Sequence, residues 1–358
     1  MQEKKKVVRK KHAAARYADS RGKQGAAGAN KKKRKLSKGA KAGIIAASVV
    51  VVILLAAVLG VAYLLNRVDY QPLDSFSLVD SIVEEPEEVP SDVPIVTDPD
   101  AMQFGTGDIM SSPDVENILL IGSDTRGEVY GRADTMIILS INRAEGTLKM
   151  SSLMRDMYVK IPGQEDNRIN AAYAWGGPPL LIETIEQNFR VQIDRYVRVD
   201  FAAFTHMIDM LGGVTVTITA DEAAIINQEC GTAYTAGSQH LTGAAALSYS
   251  RIRKLDSDFG RTQRQRNVIE ALIQQFKNSS PTTMIGFLNA MLPEVQTDMD
   301  SGKLLSLATE SPTIMNYTLS QFRLPMDGES ESVSIRGMSV LVPDIEANRE
   351  GLQQFIYG

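Results

Sequence analysis

The chain has 358 residues, 38 of them Lys or Arg and 43 Asp or Glu, for a formal net charge of −5. That length supports one or two domains with a real core. One cysteine, Cys230, and three scattered histidines (His12, His206, His240) leave no basis for a disulfide framework, a Cys nucleophile or a zinc site.

The charge is split along the chain. Residues 1–42 hold sixteen Lys or Arg against Glu3 and Asp19, a balance of +14, which leaves −19 for the rest. This Lys-, Ala- and Gly-rich stretch has almost no large apolar side chains and reads as a disordered cytoplasmic tail. GIIAASVVVVILLAAVLGVAYLL, residues 43–65, is uncharged over 23 residues, long enough to cross a bilayer as one helix. Lys-rich sequence before it places the N-terminus in the cytoplasm and everything after it outside, at a cell membrane of Gram-positive type. The run exceeds the roughly 7–15 residues of a signal-peptide core and ends without an A-x-A site, so an uncleaved anchor is expected. A basic tail tethered at anionic lipid accounts for the Lys and Arg residues, and nucleic acid is not expected as a partner.

Residues 66–113, including EEPEEVPSDVPIVTDPD, read as an acidic, Pro-rich linker. From 114 the pattern changes. Strands are expected at 117–124, 134–142 and 147–154, a helix at 178–190, a strand at 191–199, a helix at 200–211 and a strand at 214–219. His206 falls in the apolar stretch 201–211 and reads as a packed helix residue. Thr242 caps a helix in GAAALSYS, and 261–277 forms a longer amphipathic helix. Alternation of this kind defines an α/β domain, 114–280, with a central mixed sheet and helices on both faces. Residues 281–358 are expected to complete it with two helices and two edge strands.

RIRKLDSDFGRTQRQ, residues 251–265, packs five cations into fifteen residues against only Asp256 and Asp258. On a helical wheel Val268, Leu272, Phe276 and Ile269 form the buried stripe of 261–277, with Gln265 at its centre, Arg261 at its edge and Arg264 just beyond. Arg266 falls on the opposite side. An inward guanidinium needs a carboxylate or an anion opposite it. Arg251 and Arg253, two apart, would project to one side of an extended segment. The surplus charge suits a phosphate or pyrophosphate, which Arg forks bind bidentately, or a solvated charged loop with ordinary ion pairs. At the other end, Asp124 closes one strand and Asp134 opens the next, and SSLMRDMYV adds Arg155 and Asp156 at a third strand end. One or two carboxylates with substrate oxygens is how Mg²⁺ is usually held, and strand ends of open α/β sheets are where ligands bind.

Five blocks in this order, GSDTR…RADTMIILSIN, SLMRDMYVKIPG, RINAAYAWGG, DFAAFTHMIDMLGGVTV and LTGAAALSYSRIRKLDSDFGRTQRQRNVIEA, resemble the LytR-CpsA-Psr family of cell-envelope proteins. The similarity runs from about Asn117 to Phe276. Ala133 stands where Ser is common, and Arg168 opens a block that usually opens with Lys. The resemblance implies a phosphotransferase that moves a glycopolymer, such as teichoic acid or capsule, from a polyprenyl-pyrophosphate carrier to peptidoglycan. It implies Mg²⁺ (or Mn²⁺) on Asp124 and Asp134. It further implies pyrophosphate binding by Arg155, Arg251, Arg253, Arg261 and Gln265, joined by Arg264, with Asp258 orienting arginines or serving the metal's outer shell. By the same resemblance, Arg155, Arg253, Asp134 and Asp258 are the expected catalytic set. Val268, Leu272 and Phe276, continuing the stripe beyond Gln265, are expected to take the prenyl chain. A membrane-bound transcription attenuator and a non-catalytic glycopolymer-binding module are the competing functions.

Overall fold

The structure, a computed structural model, describes residues 63, 67–79, 93–96, 102–124, 130–253, 255–256 and 258–358, all within one compact unit, Ala56–Gly358. Tyr63 apart, the expected tail and membrane span lie outside the described residues, and among the described residues no helix is long and apolar enough to cross a membrane. The elements run β1 (Asp69–Tyr70), β2 (Ile95–Val96), β3 (Val115–Asp124), β4 (Arg132–Asn142), β5 (Thr147–Leu153), β6 (Tyr158–Val159) and β7 (Asn167–Arg168). Then come α1 (Ile169–Phe189), β8 (Arg195–Asp200), α2 (Phe201–Met210), β9 (Val214–Ile218), α3 (Ala220–Cys230), β10 (Gly237–Leu241) and α4 (Gly243–Arg251). The chain ends with α5 (Asp258–Lys277), α6 (Pro281–Met291), β11 (Val295–Thr297), α7 (Ser301–Ile314), β12 (Thr318–Leu324), β13 (Ser330–Ile335), β14 (Met338–Pro343) and α8 (Ile345–Tyr357).

A mixed seven-stranded sheet of order β1-β11-β8-β3-β4-β5-β12 forms the centre. The β3–β4–β5 meander is antiparallel, while β8 joins β3 and β12 joins β5 in parallel. Met136–Ile141 is one continuous apolar run apart from Ser140 because both faces of the sheet are covered. On one face Leu119, Ile121, Met136 and Ile138 pack with Leu181 and Ile185 of α1 and Leu352 and Ile356 of α8. On the other, Ile118, Ile141 and Leu148 meet Leu307 and Ile314 of α7. A second core joins α2, the β9–β10 pair, α3, α4 and α5 through Ile208, Val214, Ile226, Ala245 and Val268.

Several expectations are revised. The helix expected at 178–190 begins at Ile169. Gly177 (φ 64°, ψ −156°) breaks it internally, and Pro178 and Pro179 restart it where their missing N–H groups are tolerated. α3 was not expected, although its capping box, Thr219 with Glu222, is legible. The final eighty residues hold three helices and four strands rather than two of each. Parts of the expected linker are docked: β1 pairs β11, β2 pairs β13, and the Tyr130 hydroxyl donates to Ser77 O at 2.7 Å. Asp200 and Thr242 cap α2 and α4 by accepting from Ala203 N and Ala245 N. His206 is half-exposed on α2, 3.0 Å from Glu294, rather than packed inside.

Candidate active site

The β3–β4 register sets the rim. Gly122 pairs Thr135 and Ser123 pairs Ala133, so Asp134 is the extra residue of a β-bulge. A bulge re-aims the side chains beside it. Here it breaks the strand's alternation, and Asp134 and Thr135 both line one cavity of about 700 Å³. The opposite wall carries Arg251, Arg253, Arg261 and Gln265, and Arg155 reaches in from the end of β5. Six of the residues singled out in the sequence therefore share one cavity: Asp134, Arg155, Arg251, Arg253, Arg261 and Gln265.

Neighbouring groups and backbone geometry place them. Arg155 Nη1 donates to Asp134 Oδ1 at 2.5 Å, and its Nε lies 3.3 Å from Asp156 Oδ1. Fully buried Arg168 stands on the far side of Asp156, with Nη1 3.7 Å from the same oxygen. A cation–carboxylate–cation row thus backs the cavity and holds Arg155 in place. Arg251 is the last residue of α4 rather than part of an extended segment, and its guanidinium lies over the Phe201 ring at 5.0 Å. Arg253 still reaches the same cavity, because buried Ile252 leaves the helix with extended backbone (φ −57°, ψ 127°). Arg261 and Gln265, one turn apart on α5, are buried, and Gln265 Nε2 lies 3.5 Å from Asp134 O.

Other site expectations are met differently. Arg264 does not line the cavity. Its guanidinium donates to Glu222 Oε1 at 2.7 Å, Asp256 Oδ2 at 2.6 Å and Ile252 O at 2.9 Å. Burial opposes its charge, yet the bonds to Asp256 and Glu222 outweigh it and hold its pKa above the ordinary arginine value. Arg264 thereby ties α3 to the segment that carries Arg253. Arg266, expected on the solvent side, is buried, with Nε donating to Gln321 of β12 at 3.0 Å; burial, with Arg323 nearby, pushes its pKa down to about 10. The wheel missed it because β12, contributed from far along the chain, covers that flank. The side chains of Asp124 and Asp258 lie outside the described residues.

A narrower apolar slot of about 180 Å³ adjoins the cavity and shares Thr135, Phe201, Leu247, Ser250 and Gln265 with it. Its floor is the sheet (Leu120, Gly122, Val197, Val199), and its walls include Phe204 and Met207 of α2 and Ile269 and Leu272 of α5. Of the residues expected to face a lipid, Leu272 lines it. Val268 is fully buried in the second core, and Phe276 packs on Phe287 with ring centroids 5.4 Å apart. Glu229, Cys230 and Ser248 also line the cavity, with Ser248 Oγ donating to Glu229 at 2.7 Å. Glu229 and Cys230 end α3 and Ser248 lies on α4, and nothing in the local sequence marks any of the three as cavity-lining.

Four guanidinium groups and two carboxylates thus line a cavity that opens beside an apolar slot. The LytR_cpsA_psr family model matches residues 91–354, beyond both ends of the five blocks between Asn117 and Phe276. The polyisoprenyl-teichoic acid–peptidoglycan teichoic acid transferase TagU of Oceanobacillus iheyensis is 37% identical over 263 residues, covering 71% of this chain and 79% of that protein. A solved structure of TagT bound to LIIa-WTA is 28% identical with a TM-score of 0.57, covering 68% of this chain and 91% of that one. A second, the LytR-CPS2A-psr family protein YwtF (TagT) with bound octaprenyl pyrophosphate lipid, is 25% identical with a TM-score of 0.55, over 68% and 91% of the two chains. The chain belongs to the LytR_cpsA_psr family.

Proposed function

We propose that this chain is a membrane-anchored transferase acting outside the cell, which moves a glycopolymer from a polyprenyl-pyrophosphate carrier to peptidoglycan. The observation that carries the reading is the convergence of Asp134, Arg155, Arg251, Arg253, Arg261 and Gln265 on one cavity that shares a wall with an apolar slot. A relative holds octaprenyl pyrophosphate, and the cationic cavity and the apolar slot of this chain suit the two chemically different halves of such a lipid. The acidic residues after 42 and the uncharged run at 43–65 support an anchored domain outside the bilayer.

In this reading the guanidinium forks bind pyrophosphate oxygens and neutralise the charge that spreads over them during transfer. The acceptor hydroxyl forms a bond to the phosphorus that carries the sugar. The bond from that phosphorus to the bridging oxygen breaks, its electron pair departs with prenyl phosphate, and the hydroxyl's proton passes through water to that leaving phosphate. Arg155, braced by Asp134 and Asp156, keeps its fork aimed at the cavity through the reaction. Asp134 supplies one hard oxygen donor at the rim, which fits a divalent cation that takes one or two carboxylates and completes its shell with phosphate and water. Mg²⁺ or Mn²⁺ held by Asp134 with Asp124 would add charge neutralisation on the pyrophosphate.

The test is product analysis. The full chain in lipid nanodiscs receives synthetic prenyl-pyrophosphate oligosaccharide and peptidoglycan fragments, and the products are resolved by mass spectrometry. A sugar-phosphate joined to peptidoglycan, with prenyl phosphate released, is expected. Intact donor, or sugar transferred without its phosphate, would overturn the reading.

A further inference from the structure

α6, with the sequence PTTMIGFLNAM, carries no charged residue. Its inner face packs Met291 and Phe287, and its outer face presents Thr282, Ile285, Gly286, Leu288 and Asn289. Ile285 is 60% exposed and Leu288 36%, and Met210 at the end of the neighbouring α2 adds another apolar side chain at 37%. An uncharged outward face with two large aliphatic groups is unusual for a helix bathed only in water.

Its neighbours say what covers it. Arg67 Nη1 donates to Asn289 O at 2.9 Å and to Asn289 Oδ1 at 2.6 Å. Arg67 lies two residues beyond Leu65, the end of the apolar run. If that run spans the bilayer, Arg67 sits at headgroup level, and its bonds hold α6 there too. The helices that wall the apolar slot run on to the same place. Leu272 and Met207 line the slot; one turn further along their helices stand Phe276, which packs on Phe287 of α6, and exposed Met210.

We propose that α6 is an interfacial helix: Ile285, Leu288 and Met210 insert into the outer lipid leaflet and seat the domain so that the slot meets the lipid it draws from. The inference deepens the anchored-transferase reading and rests on it. Three modest apolar insertions add to the proposed span, and Arg67 supplies the cation that interfacial helices place at phosphate depth. Drawing a prenyl chain straight from the leaflet avoids passing it through water, which is unfavourable for every methylene.

The experiment uses the full chain in nanodiscs with tryptophan placed at Ile285→Trp, Leu288→Trp or, as a control, Leu305→Trp. Leu305 is 44% exposed on α7, whose Lys303 contacts Glu116 at the far end of β3 from the catalytic rim. Lipids brominated along their acyl chains should quench and blue-shift emission at 285 and 288, while 305 matches the background of Trp175. The Ile285→Glu/Leu288→Glu variant should slow transfer from a membrane-embedded long-prenyl donor by roughly tenfold or more. It should leave transfer from a soluble short-prenyl donor unchanged. Emission at 285 no more quenched than at 305 overturns the inference. So does shielding that grows with the number of chains per disc, which would mean the face meets a second copy. Flotation of the wild-type chain with vesicles after alkaline washing separates the two claims: a chain that washes off refutes the anchor itself, whereas one that floats with unquenched 285 refutes only the seating of α6.

Discussion

Replacing Arg264 tests whether proximity in sequence to the ligand arginines means contact with the ligand. Arg264→Ala removes three bonds at once: to Glu222, whose side chain is 11% exposed, to Asp256, 46% exposed, and to the Ile252 carbonyl. Solvent discounts the Asp256 bond to a few tenths of a kcal/mol. Loss of the Glu222 partner is the larger effect, because that carboxylate stays mostly buried at the N-terminus of α3, where it still accepts from Thr219 N at 2.8 Å. Breaking a buried pair from one side costs about 3–5 kcal/mol, and the surviving capping bond brings Glu222 to the low end. A loss of about 3 kcal/mol corresponds to a fall of roughly 6–12 °C in Tm. Calorimetry or circular dichroism reads that shift. Titration with prenyl pyrophosphate should show a weaker loss than Arg253→Ala gives, because Arg253 survives on a loosened segment. Arg264→Lys keeps the charge without the fork and should fall between. Wild-type melting combined with lost donor binding would refute the reasoning, since it would mean that Arg264 faces the ligand.

Arg155→Ala and Arg253→Ala should each reduce transfer by a hundredfold or more, about 3 kcal/mol of transition-state stabilisation, while near-ultraviolet circular dichroism stays native; retained turnover would remove them from the catalytic set. Asp124→Ala should leave turnover slow and indifferent to added Mg²⁺, whereas a preserved metal titration would dissociate that residue from the cation. Ile269→Trp narrows the slot and should raise KM for long-prenyl donors with little change for short ones, so equal effects on both would mean that the prenyl chain lies elsewhere. Burial pushes the Cys230 thiol above its ordinary value of 9.0, with the Ser248 hydrogen bond opposing and Glu229 reinforcing the shift. Its thiolate therefore appears only above the ordinary thiol range: alkylation should be slow at neutral pH, accelerate above about pH 9 and be blocked by bound donor. Rapid labelling at pH 7 would contradict that environment.

The central strands and α5 were legible because their signals are local: continuous apolar runs for strands covered on both faces, and a 3.6-residue stripe for the helix. Asp134 and the arginines that share its cavity were legible because cations outnumber carboxylates in 251–265, while Arg264 follows the blander alternative of ordinary ion pairs, with Glu222 and Asp256. What stayed hidden depends on distant chain. Arg266 looks solvent-facing on any wheel, and only β12, fifty residues later, buries it. Asp134 was assigned to a strand entry, but nothing in RADTM announces the bulge that turns it beside Thr135. Arg264 and Arg261 differ by three positions and have similar chemistry. Their different destinations are decided by Glu222, which bonds Arg264 from a helix whose local sign is the Thr219–Glu222 capping box. The docking of β1 and β2 was masked by acidic, Pro-rich composition, which described most of the segment and not the few residues that pair.

The most direct test of the account is a binding comparison in nanodiscs between prenyl pyrophosphate and prenyl monophosphate, made for the wild type and for Arg251→Ala, Arg253→Ala and Arg261→Ala. The account predicts that the wild type prefers the pyrophosphate and that each substitution lowers its affinity by about tenfold, as loss of one charge-assisted fork should, while eroding the preference over the monophosphate. Equal affinity for the two lipids in the wild type, or a preference untouched by all three substitutions, would contradict it.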